Sequence, residues 1–118
     1  MPWLPPITVV ETREFLALAH KLMMDEERAA LVDYVASHPE AGDLIPGGGG
    51  IRKLRWSLPG RGKRGGARVI YFFHSERIPL FLLSAYAKNQ REDISDAERN
   101  AFRRLTKALA ETYGKAKA

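Results

Sequence analysis

The sequence contains no cysteine among its 118 residues, which excludes disulfides and thiolate metal sites together. Its three histidines, His20, His38 and His74, stand too far apart for a local metal motif, so neither a metal nor a cofactor is expected. No apolar run approaches the roughly 18 residues of a membrane span. The start, MPWLPPITVV, lacks the basic region and long apolar stretch of a secretory signal, which predicts a cytosolic protein with no membrane partner. Acid is missing from one place in particular. Between Ile51 and Arg68 there is no Asp or Glu, while seven Lys or Arg occur: Arg52, Lys53, Arg55, Arg61, Lys63, Arg64 and Arg68.

Of the 19 basic residues, 12 remain outside that stretch against 14 acids, so the rest of the chain is net −2 although the whole is +5. An overall balance of +5 is compatible with ordinary solubility; its confinement to one stretch is the sharper sign of a polyanionic partner. The length and a hydrophobic content of 45% suit one compact domain spanning residues 1–118.

Residues Ile7 to Glu11 (ITVVE) are β-branched after a Pro-rich start and predict a first strand. From Thr12, a plausible N-cap, the spacing of Phe15, Leu16, Ala19, Leu22 and Met23 predicts a helix. A second helix follows, with Asp25 as its cap, acids in its first turn, and Leu31, Val32, Val35 and Ala36 as its stripe; His38-Pro39 ends it. PEAGDLIPGGGG reads as a loop. IRKLRW, ARVIYFFH and IPLFLLSAYA then read as three strands of an antiparallel meander. Finally, Ser95-x-x-Glu98 is a capping box before a stripe of Ala101, Phe102, Leu105 and Leu109 that runs to about Tyr113. The order β-α-α-β-β-β-α predicts an α+β domain with a mainly antiparallel sheet, its helices packed on one face and the other face free.

Strand alternation puts Lys53 and Arg55 on one face and Leu54 and Trp56 on the other; on the next strand Arg68, Ile70, Phe72 and His74 share a face. If Val69, Tyr71 and Phe73 pack on the helices, Arg68 joins Lys53 and Arg55. An arginine among apolar strand residues either pairs with a buried acid or binds an anion. These strands hold no acid, although Glu76, Asp93 or Glu98 could approach in three dimensions. Tyr86 and Lys88 extend the same face. Cations interleaved with aromatics suit RNA, although Tyr71, Phe72 and Phe73 are more simply read as core. Gly60, Gly62 and Gly65 match G-x-G-x-x-G, but a strand follows where a dinucleotide site needs a helix. The charges of that turn can equally be solvated.

With IRKLRW, ARVIYFF, the turn GKRGG between them, and LLSAYAKNQREDIS before a capped helix, the sequence resembles the RelE superfamily of bacterial toxins, and its HigB-type branch most closely. The likeness covers nearly the whole chain, and GKRGGARVIY and YAKNQRED are its most specific parts. It implies a type II toxin that enters the ribosomal A site and cuts mRNA, neutralised by a cognate antitoxin of helix-turn-helix, HigA-like type. Arg68 matches the family's third-strand arginine, which implies phosphorane stabilisation, and Lys53 and Arg55 match its basic second strand. Because a lysine crowded by guanidinium groups loses basicity, Lys53 or Lys88 can serve as general base or acid, and Tyr86 can stack on a base or orient the phosphate. Arg52, Arg55, Arg61, Lys63, Arg64 and Arg91 are the accompanying phosphate-binding candidates. Where some relatives carry a second active-site arginine after the last strand, this chain reads Lys88-Asn89. A ParE-like inhibitor of gyrase and a non-catalytic RNA-binding module are the competing functions.

Overall fold

The computed structural model describes residues 6–58 and 66–115. Its elements are β1 (Val9–Glu11), α1 (Arg13–Leu22), α2 (Asp25–Ser37), β2 (Asp43–Leu44), β3 (Ile51–Trp56), β4 (Ala67–Phe72), β5 (Leu80–Ala87) and α3 (Asp96–Lys115). The helix boundaries follow local chemistry. The Thr12 hydroxyl accepts from the Phe15 N–H at 3.2 Å and donates to the Leu82 carbonyl at 2.7 Å, so the cap of α1 also ties the helix to the sheet. Asp25 is not the cap of α2, contrary to expectation. Met24 holds that position, its N–H bonded to the Glu27 carboxylate at 2.7 Å, while Asp25 opens the helix, where an acid favours the dipole. At α3 the capping box forms as expected, with Ser95 and Glu98 bonded reciprocally at 2.8 and 3.1 Å.

The five strands form one α+β sheet in the order β1-β5-β4-β3-β2; β1 is parallel to β5 and every other pairing is antiparallel. Strand β2 lies inside the segment read as a loop. Two residues are too few to show a period, and only the pairing of Asp43 with Lys53 and Leu44 with Arg52 makes them a strand. The glycine run beside it lets the chain turn into β3. Gly49 has a φ of +77°, and a Cβ there would stand 2.6 Å from the Thr106 hydroxyl of α3.

The helices divide between the faces of the sheet, which corrects the expectation that they share one. Phe15, Ala19, Leu31 and Val35 of α1 and α2 pack on Leu54, Ala67, Val69, Tyr71, Leu82 and Ala85. Phe102 of α3, with Leu109 and Tyr113, packs on Ile51, Ile70, Phe72, Phe81 and Leu83 of the opposite face. That second face is covered only in part, and the remainder carries the cations. On the first face Tyr71 is fully buried; its hydroxyl donates to the Pro39 carbonyl and accepts from the Gly42 N–H, each at 2.8 Å. Burial holds the Tyr71 phenol above its ordinary pKa.

A bulge between β4 and β5 sets the site. Ile70 pairs with Ser84 but Tyr71 pairs with Leu82, so Leu83 has no partner of its own. Strict alternation from Leu80 and Leu82, which face α1 and α2, would send Tyr86 to that side as well. The extra residue reverses the phase, and Tyr86 joins Ile70 and Phe72 on the α3 side. No helix among the described residues is long and apolar enough to cross a membrane.

Candidate nucleic-acid interface

Register places Arg55, Arg68 and Tyr86 directly opposite one another across three adjacent strands, and Lys53, Ile70 and Ser84 form the next row. Paired residues of a sheet point to the same face, so Lys53, Arg55, Arg68 and Tyr86 share the α3 side. Arg68 is 8% exposed. Its guanidinium donates to the Ala67 carbonyl at 3.3 Å, and among the described residues it forms no ion pair. A guanidinium so withdrawn from water and left without an acid is costly in the empty protein. Its arrangement favours an incoming anion.

The segment after β5 folds back over this row. Tyr86 donates to the Glu92 carbonyl at 3.4 Å, and the Asp93 carboxylate stands 3.4 Å from the Lys53 ammonium. Arg91 lies 4.6 Å above the centre of the Tyr86 ring and is held by Glu98 through two hydrogen bonds of 2.8 and 2.9 Å. Those bonds to Arg91, aided by the cap bonds to Ser95, hold the Glu98 carboxyl down to about 2. Burial, reinforced by Asp93, raises the Tyr86 phenol above its usual value, while Arg91 and Arg68 pull the other way. The phenol therefore stays protonated at neutral pH, able to donate.

Arg68, Lys53, Arg55 and Tyr86 are thus brought together from three strands. Lys88 is exposed one step beyond the paired ladder, its N–H bonded to the Gly66 carbonyl at 3.2 Å. Arg91 joins through Tyr86. Arg52 does not join: its strand position sends it to the other face, where it donates to the Glu40 and Gly42 carbonyls at 3.2 and 2.8 Å and ties down the loop before β2. Arg61, Lys63 and Arg64, with the glycine-rich turn, lie outside the described residues. His74 is past the opposite end of β4, where its ring stands 6.2 Å from Phe72, and takes no part. Of the acids that the sequence allows to approach, Asp93 reaches Lys53 and Glu98 reaches Arg91, and neither forms an ion pair with Arg68. Among the described residues no cluster of His, Asp or Glu suits a metal ion.

The arrangement offers a buried guanidinium, a lysine and a phenolic donor around one open half of a sheet face. Such a set can bind a phosphodiester and stabilise added negative charge on it. Fold and site together define a class: a small α+β domain that presents cations from its central strands. A profile of the family described as the RelE toxin of the RelE/RelB toxin-antitoxin system matches residues 7–116. The chain belongs to the RelE toxin family. Among solved structures it is similar to the E. coli toxin RelE, an arginine double mutant in the free state, with 20% identity and a TM-score of 0.53. That match covers 75% of this chain and 90% of the other, and at such identity it speaks for the fold.

Proposed function

We propose that this single-domain chain, residues 1–118, is a ribosome-dependent mRNA endonuclease of a type II toxin-antitoxin system, of the HigB-like branch. The observation that carries this reading is Arg68, withdrawn from solvent without an ion pair among the described residues and set in one row with Arg55 and Tyr86 beside Lys53. The nucleophile is the RNA's own 2′-hydroxyl. Lys53 or Lys88, as the neutral amine, accepts its proton as the 2′-oxygen attacks the adjacent phosphorus. Arg68 stabilises the phosphorane, and the bond to the 5′-oxygen breaks as that oxygen takes up a proton from the ammonium of the other lysine. Tyr86, on exchanging the Glu92 carbonyl for a phosphate oxygen, donates its hydroxyl hydrogen there and orients it, while Arg55 holds the flanking backbone. The ribosome orders the mRNA in its A site. A helix-turn-helix antitoxin of HigA type neutralises the toxin in the cytosol by covering or displacing the cationic row with an acidic or amphipathic segment.

The test is inducible expression with primer-extension mapping of cellular mRNA, followed by cleavage on isolated ribosomes. The products should be a 2′,3′-cyclic phosphate, or its hydrolysed 3′-phosphate, and a 5′-hydroxyl; a 2′-deoxy substitution at the cut nucleotide should block the reaction. Because cations repel a divalent metal, cutting should survive EDTA once ribosome integrity is maintained by other means. Products with 5′-phosphates, or cutting of the deoxy substrate, would assign the attack to water and overturn the mechanism.

A further inference from the structure

Tyr86 is the aromatic residue of the site, yet it is only 6% exposed and its ring is covered by Arg91. It therefore has little surface to offer a base. The Arg91 side chain, in contrast, is 38% exposed, and three contacts fix its plane: the Tyr86 ring below it and the two carboxylate oxygens of Glu98 beside it. A guanidinium whose in-plane N–H groups are engaged by a carboxylate keeps its flat face for stacking. Next to it opens a groove of about 590 Å³ between α1 and the end of β5, with Leu18 and Leu22 on one wall and Ser84, Ala85, Gln90 and Arg91 on the other. The α1 wall offers apolar surface from Leu18 and Leu22 with Glu14 and Lys21 among them, and the other wall carries hydrogen-bonding groups, so the groove can take both the flat face and the polar edge of a nucleobase.

We infer that the Arg91 guanidinium, clamped between Tyr86 and Glu98, is the platform on which one unpaired base of the RNA stacks, with the neighbouring groove receiving that base. The inference rests on the RNA reading of the site and adds where a base, as opposed to a phosphate, is held. Arginine planes stack unpaired bases in sequence-tolerant and sequence-specific RNA binding alike. Glu98 offsets the charge of Arg91 itself, so the platform contributes through its plane more than through its charge. Glu98 is accordingly a positioning residue.

The test is equilibrium binding of unstructured hexanucleotides with 2′-fluoro sugars, which lack the attacking hydroxyl, each carrying one abasic site moved through every position. In the unmodified protein, loss of the base at one position should weaken binding by about 5- to 100-fold, with smaller effects elsewhere. Arg91→Lys keeps the charge and loses the plane; it should weaken the intact oligomer, erase the penalty of that abasic position, and leave the salt dependence unchanged. An unmodified protein indifferent to every abasic position overturns the platform, and that measurement needs no variant. So does an Arg91→Lys protein that weakens intact and abasic RNA equally, since Arg91 would then be a phosphate contact. Failure of the unmodified protein to bind any of the oligomers would overturn the platform as a base site of this chain alone, while the RNA reading, decided by cleavage on isolated ribosomes, would stand or fall separately.

Discussion

On the face covered by α1 and α2, β4 presents Ala67, Val69 and Tyr71, each fully buried, whereas the same strand presents Arg68, Ile70 and Phe72 to the other face. The first set has neighbours along its whole length. The second meets α3 only through Ile70 and Phe72, because α3 begins near Tyr86 and runs toward Phe81, where Tyr113 packs at 5.6 Å. Arg68 and the cationic row lie beyond the start of that helix. One face thus serves stability throughout, while the other stabilises at one end and leaves its other end available for chemistry. A strand can do both because its side chains alternate and its neighbours on the two sides need not be equally long.

The largest expected effect breaks this contrast directly. Arg68→Ala should lower ribosome-dependent cutting by about 10²- to 10³-fold, the scale of losing a preorganised charge-stabilising donor. Its stability should hold or rise, because an unneutralised buried charge disappears. Leu82→Ala on the covered face should do the reverse, costing about 3 kcal/mol in urea unfolding while leaving the site chemistry of the folded fraction intact. If Arg68→Ala unfolds the protein, Arg68 belongs to the structural half after all.

A smaller effect sharpens the roles within the cationic row. Lys53→Ala should slow cutting by about 10²-fold, and Lys53→Arg should restore only part of the loss, because an always-protonated guanidinium cannot accept a proton. Full rescue in the single-turnover rate would make Lys53 an electrostatic anchor and leave the proton to Lys88.

The smallest effect concerns the seam between the two ends of the α3 face. Glu98 titrates at about 2 in the folded protein against 4.5 as its ordinary value, so it stabilises the fold fully above pH 4.5 and loses that contribution as pH falls toward 2. Exposure and screening limit the gain. The protein should exceed Glu98→Gln by about 1 kcal/mol at neutral pH, with the gap closing in acid. A gap that does not change with pH would show that Glu98 acts only as a neutral cap.

Much of the site was legible before any coordinates, because the absence of acid between Ile51 and Arg68 and the period of two in IRKLRW already put Lys53, Arg55 and Arg68 together. The capped α1 and α3 were legible for a related reason: Thr12, Ser95 and Glu98 act on backbone groups three residues away. Arg52 misled because composition counts a charge without its direction, and one step along a strand reverses the face. Strand β2 was hidden because its two residues owe their form to β3.

What the sequence by itself determined is therefore local and periodic: which segments become helices or strands, and where positive charge is not offset by negative. Tertiary structure decided everything that depends on phase and return. The unpaired Leu83 turns Tyr86 toward Arg68, where uninterrupted alternation would have turned it away. The fold-back after β5 then delivers Asp93 to Lys53 and stacks Arg91 between Tyr86 and solvent, held by Glu98. The physical reason is that a bulge is a property of two strands in register, and an ion pair is a property of two segments brought into contact; neither is written in the spacing of one segment alone.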